Sequence, residues 1–112
     1  MNTTTIDLEF YRTKGSKVFT GRERGVKIRI ESNIDNLINT NDLIRIKIPS
    51  DIMSINPSFL EEFLFNIVTR LGKEKFNKKV NFITESSSRY DITEDLEEAV
   101  DRILRNNNAL SK

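Results

Sequence analysis

The clearest periodicity in the chain lies between residues 59 and 71. Apolar side chains recur there at the spacing of a helix with one buried face, at Phe59, Leu60, Phe63, Leu64, Ile67, Val68 and Leu71. Two starts are open for this helix. Asn56 can cap it with Pro57 at the first helical position, or Ser58 can cap it with Glu61 reaching back. Gly72 is the predicted stop.

Alternation of apolar and polar residues, which is typical of half-buried strands, occurs in two segments. The first predicts a strand over residues 6–10, and a turn at residues 12–16 predicts a hairpin with a short strand at 17–19. The second is residues 43–48, where isoleucine alternates with basic side chains, so we expect one buried and one wet face. A compact run of β-formers predicts a further strand at residues 80–83.

Residues 26–30 fit either a strand or a helix, because apolar and basic residues alternate there. A helix also accounts for the apolar residues downstream. We therefore predict a helix from a capping box at Thr20 and Glu23, with one side formed by Val26, Ile30, Ile34, Leu37 and Ile38. The last helix is predicted to open near Asp91 or Thr93 and to end at residues 106–108.

The predicted order of elements is β-β-α-β-α-β-α. It indicates a single α/β domain over residues 1–112, with a mixed sheet of about four strands and helices mainly on one face. Residues 1–5 and 106–112 are expected to be flexible.

Cysteine and histidine are both absent from the 112 residues. Their absence removes disulfides, thiol chemistry, ordinary zinc sites and imidazole bases. No Asp/Glu cluster has a recognisable ligand spacing, and Ser58 as a nucleophile has no activating residue at an obvious spacing. We therefore expect no metal, no cofactor and no enzyme activity. No apolar run is long enough to cross a bilayer, and the N-terminus lacks a signal-peptide pattern, so we expect a cytoplasmic protein.

The net charge is only +1, but the charges are unevenly distributed. The first third is basic, with Arg12, Lys14, Lys17, Arg22, Arg24, Lys27 and Arg29, and the end is acidic, with Asp91, Glu94, Asp95, Glu97, Glu98 and Asp101. The basic third is suited to binding phosphates or an acidic partner. Alternatively, the two charged ends neutralise one another across the fold or are simply solvated. Arg22 and Arg24 are candidates for an anion contact, although their run lacks the spacing of a phosphate loop.

A resemblance to a known family adds to these patterns. The strand at residues 43–48 and the run Ser54-Ile55-Asn56-Pro57-Ser58-Phe59-Leu60-Glu61-Glu62-Phe63 resemble the strand, turn and helix start of a STAS-like family of unknown function. Its members are small bacterial and phage-associated proteins related to anti-sigma-factor antagonists. The run Gly21-Arg22-Glu23-Arg24-Gly25 is similar to the family's first helix start. The likeness covers about residues 16–84 and implies a small α/β domain that docks on another protein.

The resemblance also implies a partner and a modification. In the better-known relatives the partner is an ATP-binding anti-sigma kinase, and a Ser or Thr at the start of this helix is phosphorylated. Ser58 occupies the matching position, where helix N–H groups tolerate a phosphate. The classical Asp and Gly of that turn are replaced here by Asn56 and Phe59, and Ser58 is alternatively only a helix cap.

We therefore expect a non-enzymatic regulatory module that binds a protein through the turn around Ser58. The candidate contacts are Ile52, Asn56, Ser58, Glu61, Glu62 and Phe65, of which Phe65 is either core or an exposed anchor. The alternative is a phage or mobile-element inhibitor that binds a host protein or nucleic-acid complex through the basic N-terminal third. Nucleic acid has less support, since exposed aromatic residues are not expected among those basic residues.

Overall fold

The computed structural model describes residues 2–110, with side chains as far as residue 106. Its strands are β1 (Thr3–Asp7), β2 (Val18–Phe19), β3 (Leu43–Lys47), β4 (Ser54–Ile55) and β5 (Val80–Ile83). Its helices are α1 (Arg22–Ser32), α2 (Ile34–Thr40), α3 (Pro57–Lys79) and α4 (Thr93–Leu110), and one turn of 3-10 helix spans Leu8–Tyr11. The main sheet has the strand order β1-β3-β5, and β2 pairs with β4 in a second sheet. The predicted α/β class is confirmed.

The predicted hairpin and the mixed four-stranded sheet are wrong. Strands β1 and β2 belong to different sheets, and every strand pair is parallel. The cause lies at Asp7, whose side chain accepts the amide of Glu9 at 3.0 Å and starts the 3-10 turn. The strand therefore ends at Asp7. Leu8 is still buried, but Phe10 is 84% exposed instead of continuing the buried face.

The main sheet is buried on one face and open on the other. Ile6, Ile46 and Phe82 are aligned across the three strands on the buried side, which α2 and α3 contact. Arg45 and Asn81 are neighbours on the opposite, exposed side. The prediction of one buried and one wet face for residues 43–48 is confirmed.

Helix α3 begins as the first of the two predicted alternatives requires. Asn56 caps it by accepting the amide of Ser58 at 2.8 Å, and Pro57 is the first helical residue. Gly72 has φ 79° and ψ 168°, so the helix breaks there but resumes as far as Lys79. The resumption buries Phe76, which explains why the polar segment after Gly72 is helical.

The helical interpretation of residues 26–30 is confirmed, but the helix does not continue unbroken to residue 38. Asn33 adopts a left-handed conformation with φ 58° and separates α1 from α2. Ile34 and Ile38 of α2 are buried as predicted, whereas in α1 it is Ile28 that is buried and Ile30 is 70% exposed. The predicted capping box does not form either, because α1 begins after Gly21 without a side-chain cap.

Helix α4 begins at Thr93, as predicted, and the Asp91 side chain accepts the Thr93 amide at 2.9 Å. The helix passes the predicted end at residues 106–108 and reaches Leu110. Residues 3–5, which were expected to be flexible, lie in β1. The expected flexibility of residues 1, 111 and 112 falls outside the described residues. Within residues 2–110, none of the helices has the length and apolar character required to cross a membrane.

Helices α1 and α3 approach closely at Gly25, and this contact generates a stability prediction. A Cβ at Gly25 would lie 2.4 Å from the Phe59 carbonyl oxygen and 2.9 Å from Cβ of Glu62. Alanine is the better helix former, yet Gly25→Ala is expected to lower the free energy of unfolding by about 1–3 kcal/mol, because α1 and α3 must separate. Chemical denaturation measures the change. Lys27→Ala, on the exposed side of α1, is the control, and a fully stable Gly25→Ala variant would contradict the contact.

Candidate functional site

A groove lies between the turn that follows β3 and the loop that precedes α4. Its volume is about 460 Å³. The residues that line it define what we call the turn groove: Lys17, Ser50, Asp51, Ile52, Met53, Ser87, Arg89, Tyr90 and Asp91. Within this groove the chain therefore brings together a strand-to-helix turn, the start of the second sheet and the loop before the last helix.

The turn itself is held in place by backbone hydrogen bonds. The Ile52 amide donates to Pro49 at 3.2 Å, and the Met53 amide donates to the carbonyl of Lys17 at 2.7 Å. The Ile52 side chain is 2% exposed and anchors the turn in the core. Met53, the next residue, is 69% exposed. A fixed backbone therefore presents a methionine to solvent at the rim of the groove.

An ion-pair network fixes the acidic side of the turn. Arg12 lies 2.8 Å from Asp51 and 2.6 Å from Glu9. Hydrogen bonds with Glu9 and then Asp51 raise the pKa of the Arg12 guanidinium. The hydrogen bond from Arg12 lowers the pKa of Asp51 in turn. Asp51 is consequently charged at neutral pH and already neutralised by a residue of the protein itself.

The opposite wall of the groove is fixed by Tyr90 and Asp91. The Tyr90 hydroxyl donates to Asp95 at 2.5 Å and lies 3.2 Å from the carbonyl oxygen of Ile55. Burial, followed by the hydrogen bond to Asp95, raises the pKa of Tyr90 far above its ordinary value, so this hydroxyl remains a donor. The side chain and the amide of Thr93 donate to Asp91 and lower its pKa. Both carboxylates that line the groove are thus engaged by neighbouring residues.

The residues that the sequence singled out as partner contacts lie in different environments, some in the core and some at the surface. Ile52 lines the groove, although its side chain is buried. Asn56 is exposed and Ser58 is half-buried at the start of α3, outside the lining of the groove. Phe65 is half-buried and packs against the core, in agreement with the core interpretation. The candidate residues therefore do not form one continuous surface.

Glu61 lies inside the protein, between two arginines. It is only 4% exposed, and its carboxylate lies 2.6 Å from Arg22 of α1 and 3.7 Å from Arg102 of α4. Neither carboxylate oxygen has a well-aligned hydrogen bond among the described residues. We call this set the buried carboxylate cluster. It ties three helices together, so Glu61 is not available to a partner and the Arg22 guanidinium is engaged within the protein.

The remaining candidates at this end of α3 are also engaged. Glu62 lies 3.8 Å from Arg22 and 4.0 Å from Arg29. Arg24 donates to the carbonyl of Tyr11 at 3.3 Å and lines a separate cavity with Lys27. The basic third of the chain is therefore neutralised in part by Glu9, Asp51, Glu61 and Glu62. Among the described residues, no ion pair connects it with the acidic end.

Over residues 2–110, no three acidic side chains are grouped closely enough to hold a metal ion. Comparisons with models of protein families, with curated proteins and with solved structures find no match to this chain.

Met53 and Tyr90 are among the groove residues that the analysis of the sequence did not single out. Met53 belongs to no predicted strand or helix stripe, and its position between Ile52 and Ile55 gives no signal that it is the exposed one. Tyr90 precedes the start of α4 and carries no such signal. Its role depends on Ile55 and Asp95, which only the fold brings near it.

The buried carboxylate cluster generates a prediction about stability. The double variant R22A/R102A leaves the Glu61 carboxylate buried without a counter-charge, which is expected to cost about 3 kcal/mol in the free energy of unfolding. Adding Glu61→Met removes the buried charge and should restore most of that loss. Urea denaturation of the three proteins measures both steps. If the triple variant is no more stable than the double one, Glu61 is not the source of the loss.

Proposed function

We propose that this chain is a non-enzymatic binding module that docks a segment of a partner protein in the turn groove. The observation that carries the proposal is the 69% exposure of Met53 on a turn whose backbone is otherwise fixed. Burial of an exposed apolar side chain favours association. Methionine is unbranched and flexible, and therefore adapts to a partner's surface.

The rigidity of the turn supports the same proposal. A site that is already in its binding conformation loses little conformational entropy when a partner docks, so more of the contact energy appears as affinity. The hydrogen bonds of Ile52 and Met53 and the pair between Arg12 and Asp51 hold this conformation without a ligand. The groove volume of about 460 Å³ is within the range of ordinary binding pockets and accommodates side chains of an extended segment.

The regulatory details stay predictions of the STAS-like resemblance. They are a phosphoserine at Ser58 and an ATP-binding anti-sigma kinase as the partner. Ser58 is the second residue of α3, and its amide is bonded to the Asn56 side chain. A phosphate on Ser58 would lie at the helix N-terminus, near the end of the turn, where its charge would alter the docking surface.

Position 53 provides the test of docking. A photoreactive amino acid at position 53 is expected to cross-link one protein in cells of the source, whereas the same group at position 30 is not. With that protein purified, Met53→Asp should weaken binding by about tenfold or more, because a charge replaces an apolar contact. Ile30→Asp is the matched control, since Ile30 is 70% exposed but lies on α1, away from the groove. Equal affinities of the Met53→Asp variant and the unchanged protein would rule out docking here.

A second candidate function rests on Phe10. This side chain is 84% exposed and lines a cavity of about 270 Å³ with Arg24 and Lys27. The expectation that no exposed aromatic residue accompanies the basic third is therefore wrong. Aromatic rings beside cations stack with the bases of single-stranded nucleic acid. The observation favours the nucleic-acid version of the alternative function, whose assignment to a phage or mobile element stays a prediction.

Titration with a fluorescent single-stranded oligonucleotide tests this second candidate. Binding should weaken steeply with salt, because phosphate contacts release counterions. Phe10→Ala should lower the affinity by about tenfold, as expected for the loss of one stacked base. Ile30→Ala, which removes an exposed apolar side chain of α1, is the control. An affinity that depends on neither salt nor Phe10 would exclude this function.

A further inference from the structure

Strand β5 is an edge of the main sheet, and one side of it pairs with no other strand of the described chain. The amide of Ile48 donates to the carbonyl of Ile83 at 2.9 Å, so Ile83 directs its main-chain groups toward β3. These groups alternate in direction along a strand, and Phe82 therefore directs its amide and carbonyl outward. Within residues 2–110, neither group bonds to another part of the main chain.

A groove of about 300 Å³ lies beside this free edge. One wall is formed by three residues of β5, and the opposite wall is formed by two residues of α4 and the residue before it. These six residues define what we call the edge groove: Val80, Asn81, Phe82, Ile92, Leu96 and Val100.

The edge groove combines an apolar surface with the unpaired main-chain groups of β5. Asn81 points to the open face of the sheet, whereas Val80 and Phe82 point to the buried face. A groove that contacts all three must therefore pass along the outer edge of the strand. Ile92 and Val100 are buried, and Phe82 and Leu96 pack against the core and remain half-buried.

We infer that the edge groove binds an extended segment of a partner protein, which adds a fourth strand to the main sheet and carries apolar residues at alternate positions. Phe82 supplies both the donor and the acceptor that an added strand requires. Alternate side chains of that segment point to the same side, so they enter the apolar surface together. This inference goes beyond docking in the turn groove, and neither depends on the other.

An extended segment fits the edge groove better than a helix or a small apolar molecule does. A helix uses its own main-chain groups internally, and a hydrocarbon has none. Either occupant would cover the amide and carbonyl of Phe82 without pairing them, which costs free energy. The charges at the rim of the groove, Lys73 and Glu97, are opposite and select neither an acidic nor a basic segment.

Selection of peptides by the full-length chain tests the inference. A random peptide library is displayed and selected on the immobilised protein, and the best peptides are synthesised. We expect aliphatic or aromatic residues at alternate positions. In the complex, the exchange of the Phe82 amide with solvent, followed by NMR, should slow by about tenfold or more, because a hydrogen-bonded amide is protected.

The opposite edge of the same sheet supplies an internal control. The carbonyl of Asn2 accepts the amide of Leu43, so by the same alternation Thr5 of β1 directs its amide outward. The exchange of the Thr5 amide should not change when the peptide binds. Protection of Phe82 without protection of Thr5 would identify β5 as the strand that is extended.

N-methylation of one peptide amide at a time tests whether the main chain is recognised. In an added strand every second amide faces β5. Methylation of those amides should weaken binding by about tenfold or more, because it removes a hydrogen bond and places a methyl group between the strands. Methylation of the amides between them, which face away from β5, is the matched control and should leave the affinity nearly unchanged.

A pair of leucines on α4 tests the apolar wall. Leu96 and Leu104 are both half-buried, but only Leu96 of the two lines the edge groove. Leu96→Ala is expected to weaken peptide binding by about tenfold, and Leu104→Ala should have little effect. Circular dichroism establishes that both variants are folded.

Several outcomes would overturn the inference. One is a set of selected peptides that leave the Phe82 amide unprotected, and another is a methylation scan without alternation, which would mean that side chains alone are recognised. Protection of Phe82 in a dimer that forms without peptide would assign the edge to a second copy of this chain. Because Met53 lies outside the edge groove, Met53→Asp should not affect these peptides, and failure here leaves docking in the turn groove intact.

Discussion

Close packing of α1 against α3 is the interaction on which the rest of the structure depends. At Gly25 the space of a side chain is taken by the Phe59 carbonyl, so the two helices touch through their backbones. This approach brings Arg22 within reach of Glu61, and α4 completes the charge pairing with Arg102. The start of α3 is thereby fixed from two sides. The turn of the groove lies just before the start of α3 in the chain, so the fixed start of the helix also limits the motion of this turn.

The same arrangement separates stability from binding along one short stretch of chain. Ile52, Phe59 and Glu61 are buried and serve the fold, whereas Met53 and Asn56 lie between them and are exposed. Buried and exposed side chains are thus interspersed within residues 52–61. Exposed residues of this stretch can therefore change without loss of the core, which is the property that a recognition surface requires.

The elements that the sequence predicted well are those with local signals. Helix α3, β3 and β5 each have a complete apolar pattern, and Asn56 with Pro57 marks a helix start by residue type alone. The parallel pairing of β2 with β4 has no such signal, because its partners are distant in the chain. A single left-handed residue, Asn33, divides the one predicted helix into α1 and α2.

The candidate site was predictable to a smaller extent. The strand-to-helix turn was recognised as the place of interest, but Glu61 was taken for an exposed residue at a helix start. Its burial depends on Arg22 and Arg102, which other helices contribute. Sequence periodicity gives no information about ion pairs between residues that are distant in the chain. A carboxylate one residue from a buried stripe is for this reason ambiguous in any single sequence.

The parallel pairing of all five strands also has a kinetic consequence. Strands β1 and β3, β2 and β4, and β3 and β5 are each separated by at least one helix, so no sheet contact forms between chain neighbours. Closing such long loops costs entropy before any strand pair compensates for it, which slows folding. The pairing of β2 with β4 involves only two residues of each strand, so it contributes the least stabilisation when it forms. During synthesis and refolding, the turn groove that this pairing supports is expected to be the last part of the molecule to assemble.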